Sequence, residues 1–255
     1  MAIAFGSAGS AVDSGTGSTT ITLPAFAAGD VCVVQTSAKY GSRSYSAISG
    51  WTFVGASSAG LGTDGVSDEG TIIGGAFYRE MDGTESSSLT VTTTGGTANS
   101  LHARGYVFTK AGGATWSLAN GGAGSDNSAG TTCSFTYASD PGVEANDWLV
   151  TVWFVNTDLY THGTHALTAT GLSSITTASR GNSAVTQGAD MRCGLVTHVI
   201  GAGPASDVAT YSNVASGSGA SAPTGSSVII RLREVAGSGT VLPLFMHNYR
   251  QRRSA

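Results

Sequence analysis

The residues of this chain with the capacity for chemistry are few and scattered. His162-Gly163-Thr164-His165 sets two imidazoles three apart, with Asp158 the one near carboxylate. Positions three apart point to opposite faces of a strand, and zinc takes three or four ligands with a supporting shell. The pair therefore reads as loop histidines. Asp64-Gly65-Val66-Ser67-Asp68-Glu69-Gly70 gathers three carboxylates that a hard cation could use, yet the EF-hand spacing is absent and a solvated acidic turn is the expectation. A glycosidase needs two carboxylates across a cleft, and nothing pairs Asp30, Glu80, Glu144 and Asp147. Asp30 and Asp147 each stand just before an apolar run, where an Asp side chain caps a turn. There is no Gly-x-Ser-x-Gly elbow, no phosphate-binding Gly-x-x-x-x-Gly-Lys, no His-Glu-x-x-His and no Cys-x-x-Cys. No enzyme, metal or cofactor is expected. Tyr40-Gly41-Ser42-Arg43-Ser44-Tyr45 is the candidate ligand loop: Tyr40, Arg43 and Tyr45 contact a saccharide if the rings are exposed, or pack on a sheet edge if they are not. Trp51, after Gly50, is expected in the core.

The elements that must hold these residues are strands. Charged residues are 11% of 255, well under the roughly 25% of an average domain, and Gly, at 37 residues, is abundant. Apolar residues at 40% argue against disorder, and no run approaches the ~20 apolar residues of a membrane-spanning helix. The amino-terminal Met1 to Gly6 lacks the basic flank and apolar length of an export signal. Three cysteines, Cys32, Cys133 and Cys193, are an odd number inside strand-like runs and read as buried small hydrophobes, not a disulfide framework.

Two halves carry matching patterns. The first runs Thr19 to Leu23, then Gly29-Asp30 before Val31-Cys32-Val33-Val34, and closes on Gly105 to Thr109. The second runs Thr131 to Phe135, then Asn146-Asp147 before Trp148 to Val152, and closes on Ser227 to Leu232. Strand signals recur about seven times in each half with turn residues between, and no window shows helical periodicity. The expectation is an all-β, jelly-roll-like β-sandwich of two pseudo-repeats, residues 1–112 and 113–235, the second half packed on the first. Trp148 to Val155 is apolar on both faces and belongs mid-sheet or at a contact. Ala59 to Gly70, Asn120 to Gly130 and Gly217 to Gly225 read as surface loops.

Ile21-Thr22-Leu23-Pro24, Ala28-Gly29-Asp30, Gly50-Trp51-Thr52-Phe53-Val54 and Ala76-Phe77-Tyr78-Arg79-Glu80-Met81-Asp82-Gly83 resemble segments of bacteriophage virion proteins of the minor tail, tail-fibre and capsid-accessory type. With the second half as its continuation, the resemblance covers about residues 15 to 235. It implies a non-enzymatic structural protein of the particle, assembled in the host cytoplasm with other virion subunits. It also implies self-association, a trimer before a dimer, and contact with host-surface glycans. A carbohydrate-binding or adhesive module of a bacterial surface protein is the alternative.

Residues 236–255 depart from this body. Residues 240–255 hold 3 Arg and no acid, while the remainder carries a formal −7. The tail reads as a docking peptide in which Leu242, Leu244, Phe245 and Tyr249 insert into a partner and Arg250, Arg252 and Arg253 meet its carboxylates. The acidic body argues against nucleic acid.

Overall fold

A computed structural model describes residues 3–40, 42–56, 58–61, 63–64, 69–95, 100–128, 132–137, 141–158, 163–186, 190–203, 224–237 and the backbone of 210–214. These form seventeen strands and, among the described residues, no helix. The protein is all-β, and every pairing between its strands is antiparallel.

One large sheet belongs to the first half. Its order is Ala4–Ala8 (β1), Ser100–Thr109 (β9), Val31–Lys39 (β4), Ile72–Glu80 (β7) and Thr52–Gly55 (β6), with Val12–Ser14 (β2) also on β9. The second half builds its own from Thr115–Asp126 (β10), Gly225–Val235 (β17), Trp148–Val155 (β12), Met191–Val199 (β15) and Thr176–Val185 (β14). Two small sheets complete the set. Ser18–Thr22 (β3), Ser88–Thr94 (β8) and Ser44–Tyr45 (β5) form one, and Thr132–Thr136 (β11), Thr210–Val214 (β16) and Thr164–Thr168 (β13) the other. Apart from β2, the strands of both halves follow the same order in space.

The period-2 alternation of these strands sends side chains into three apolar layers. Ile21 and Val91 of the small sheet meet Cys32, Val34, Phe77 and Val107 of the first large sheet. From the opposite face of that sheet, Val31, Val33, Ile72 and Phe108 pack on Val150, Val152, Phe154 and Val228. Beyond, Leu149, Trp153 and Ile229 cover Cys133, Phe135 and Leu167. The order is therefore small, large, large, small. The two-sided apolar pattern of Trp148 to Val155 has a direct cause: β12 lies between β17 and β15 and faces a core on each side. Phe53, Leu61 and Val235 are the large hydrophobics exposed among the described residues. The apolar strands are thus covered within the chain, and self-association does not follow from them.

The sequence reading of Asn120 to Gly130 as loop is corrected as far as Asp126, which ends β10. Gly121 and Gly124 mark close packing, while Gly122, at φ 85° where the register shifts, forms a bulge. A Cβ on Gly121 would meet Ile229 at 2.5 Å, and one on Gly124 would meet the Thr136 carbonyl oxygen at 2.8 Å.

The two turns before β4 and β12 are built alike. Asp30 Oδ2 accepts from the Ala27 amide at 2.8 Å, and Asp147 Oδ2 from the Glu144 amide at 2.8 Å. The residue before each Asp takes positive φ, 86° at Gly29 and 72° at Asn146, the two residue types that tolerate it best.

Register also gives the molecule two unlike ends. Ala4 pairs with Thr109 and Thr115 with Val235, so both halves start and finish at one end. There Trp116 Nε1 donates to the Gly29 carbonyl at 2.7 Å, and the Phe108 and Trp148 rings meet edge to face. At the other end Leu61 N donates to Thr224 Oγ1 at 3.1 Å and Gly60 N to Asn127 Oδ1 at 2.9 Å, joining loops of the two halves.

All three cysteines are free and buried. Burial pushes the Cys32 thiol up to about 12, and thiolate is the reactive species. We expect a thiol reagent such as Ellman's to titrate none of them in native protein at neutral pH and three after denaturation. Rapid native labelling of Cys32 would contradict this packing.

Candidate functional site

At the loop end, where β5, β6 and β7 approach one another, a cleft of about 400 Å³ opens between Arg43, Ser44, Tyr45, Phe53, Ser58 and Gly74. Its rings are stacked on structure instead of standing free. Tyr45 lies 5.1 Å from Phe53 and 6.2 Å from Phe77, centroid to centroid, and Phe53 lies 4.6 Å from Phe77. Phe53 rests on bare backbone, since a Cβ on Gly55 would fall 2.6 Å from its ring and one on Gly75 2.9 Å. Its outer surface remains 36% exposed.

Arg43 is 7% exposed. Its Nη1 donates to Thr93 Oγ1 at 3.1 Å on β8, whereas Nε and Nη2 are buried without a hydrogen-bond partner. Burial draws its pKa down, offset in part by the nearby Tyr45, and no carboxylate among the described residues pairs with it. The Tyr45 hydroxyl is buried without a closed hydrogen bond, and burial raises its pKa. Tyr40 is half-buried with its hydroxyl enclosed, its ring against Gly70. The ligand loop read from sequence therefore brings Arg43 and Tyr45 to one cleft, with Phe53 as the exposed ring.

The other sequence candidates have structural work. Asp64 Oδ1 accepts from the Thr71 amide at 2.7 Å and Glu69 Oε2 from the Thr63 amide at 3.1 Å, closing their loop. Glu80 pairs with Lys110 at 3.2 Å, and Glu144 and Asp147 share Arg233 at 2.9 and 2.7 Å. His165 lies 5.8 Å from the Trp153 ring, while His162 falls outside the described residues. Among the described residues no three His, Cys, Asp or Glu side chains converge as metal ligands. Trp51 is partly buried against the layer of Cys32 and Phe77. Leu242, Leu244, Phe245, Tyr249, Arg250, Arg252 and Arg253 lie outside the described residues.

The chain matches no known family, no curated protein and no solved structure. Its site must be read from its own geometry.

One grouping escaped the sequence. His102 on β9 is fully buried, its Nδ1 2.6 Å from Asp13 Oδ1 on β2, and the Cys193 sulfur of β15 stands beside the same ring. Burial alone would lower this imidazole, but the sulfur and the Asp13 carboxylate outweigh it and push it up to about 9. Acid, imidazole and thiol are the members of a nucleophilic triad. Here His102 and Cys193 are both 0% exposed, so the set ties β2, β9 and β15 together across the middle layer. Sequence separations of 89 and 91 residues hid it, and no local motif marks it.

Proposed function

We propose that this protein is a non-enzymatic structural subunit of a bacteriophage virion, a capsid-decoration or tail or fibre component. Its two-ended build is the observation that supports this reading most. Chain entry, the link between halves and the last strand gather at one end, while the cleft and the interlocked loops occupy the other. A subunit fixed by its tail would then present its loops outward. The strand order lends further support: in each half the first strand lies beside the last, and, with β2 set apart, the small sheet places the next strand, β3 or β11, beside the second-to-last, β8 or β16. This order is compatible with a jelly-roll-like reading, and jelly rolls are an architecture of viral capsid and lectin domains. The virion-like segments add the particle, and trimeric self-association remains part of the proposal on that resemblance.

The test is deletion of residues 240–255. We expect the melting temperature to stay nearly unchanged and incorporation into particles to be lost. Burying an apolar side chain is worth about 1.5–3 kcal/mol before ordering costs, against about 0–1 kcal/mol for an exposed ion pair. Phe245→Ala should therefore weaken attachment more than Arg252→Ala. Normal incorporation of the truncated protein would reject the docking role.

The second reading is a carbohydrate-binding module of a bacterial surface protein. The exposed Phe53 face beside Arg43 favours it. Sugar-dependent melting shifts without any association with particles would select it.

A further inference from the structure

We infer that the Arg43 cleft is a binding site for an acidic sugar, a monosaccharide unit that carries a carboxylate. The inference does not depend on the virion reading, because the isolated protein either binds such a ligand or does not.

A buried cation is stable when paired, and its unmade hydrogen bonds are costly. Arg43 spends Nη1 on Thr93 and leaves Nε and Nη2 unused. Those two N–H groups point the same way along one edge of the planar group, the fork that meets the two oxygens of a carboxylate in parallel. The chain fills this edge with none of its own acids among the described residues, although it pairs Arg79 and Arg233 with carboxylates elsewhere. The lowered pKa of Arg43 agrees with a cation lacking its counter-charge.

The size and lining of the cleft select the rest of the ligand. About 400 Å³ exceeds what a bare carboxylate or phosphate fills, and lies in the range of small-molecule pockets. The Phe53 ring, held on the Gly55 and Gly75 backbone, offers a flat apolar face to the C–H face of a pyranose. Ser44 and Ser58 line the same space, and their hydroxyls suit neutral sugar oxygens. Nε and Nη2 are enclosed in this structure, so binding requires Arg43, anchored by one hydrogen bond among the described residues, to turn its free edge toward the cleft.

The test follows the Arg43 Nε–H signal in a ¹⁵N spectrum of the full chain during titration with galacturonate, N-acetylneuraminate, galactose, acetate and a glutamate-rich peptide. We expect the two sugar acids to shift it saturably in the millimolar range and galactose to leave it in place. Arg43→Met, which keeps the apolar stem, should weaken sugar-acid binding at least tenfold. Phe53→Ala should weaken the sugar acids several-fold and leave acetate unaffected. An unmoved Arg43 signal overturns the inference, and decides the matter if the Met variant does not fold. Equal binding of acetate and sugar acids, indifferent to Phe53, overturns the sugar assignment in favour of a bare anion site. Tighter binding of the peptide than of either sugar acid overturns it in favour of a protein ligand.

Discussion

Replacing Phe154 by alanine lowers stability by about 3–5 kcal/mol, the range for a buried aromatic truncated in place, and both halves lose their structure in one transition. Phe154 is 0% exposed in the layer shared by Val33, Ile72 and Tyr106 of the first half and Val228 and Ile230 of the second. Its ring sits where a side chain on Gly74 would be, 2.6 Å from that position, so Gly74 itself offers no atoms to fill the hole. The layer is the apolar face of both large sheets, and neither sheet can leave it without exposing the other. Amide exchange followed through denaturation is the measurement. Protection at Val33 and at Val228 should vanish at the same denaturant concentration in the wild type, and earlier but still together in the variant. Separate midpoints would show that each half is stable alone and that the shared layer is only a contact.

Two buried histidines should shape the pH dependence in opposite directions. His198 is held down to about 3, by burial first and by His165 second, and its Nδ1 lies 2.9 Å from Thr177 Oγ1. Its folded pKa is below its unfolded one. As pH falls from about 6.5 toward 3 the unfolded chain takes up a proton that the folded protein refuses, and stability drops by at most about 1.4 kcal/mol per pH unit. His102 behaves in reverse. Held up to about 9, it stabilises the fold fully below pH 6.5, and that contribution fades as pH rises to about 9. Urea midpoints measured from pH 3 to 10 test both. His198→Gln should flatten the acid limb, and His102→Gln should flatten the limb between 6.5 and 9 while lowering the plateau. If His102→Gln leaves the alkaline limb as steep as before, the Asp13–His102 pair is not charged in the folded protein.

Much of the fold was legible because burial imposes period. Val31 to Val34 and Val228 to Leu232 announced strands, and the recurrence of Gly29-Asp30 as Asn146-Asp147 announced equivalent turns. What stayed hidden was β10. Its Gly121, Gly122 and Gly124 look like loop residues, but the closeness of Ile229 and Thr136 explains the first and the last, and a bulge at positive φ explains Gly122. A small residue demanded by a neighbour cannot be told from one demanded by a turn until the neighbour is known. At the candidate site, Arg43 and Tyr45 were legible as a cationic aromatic loop. Phe53 was not, because its alternating place on β6 gave it to the interior by rule, and an edge strand leaves it half out. The Asp13–His102–Cys193 grouping needed the tertiary fold itself, since β2 has no counterpart in the second half.

The gathering of chain ends at one end of the molecule has a mechanical consequence. Force applied between that end and the loop end runs along the strands of both large sheets. Their hydrogen bonds lie across the strands, so they carry this load in shear and share it over many residues at once. Force applied between residues 4 and 235 acts across the strands instead, and peels β1 from β9 and β17 from β10 one bond at a time. The protein thus resists force along its strands better than force across them. A body gripped at one end and tugged at the other meets the stress it resists best.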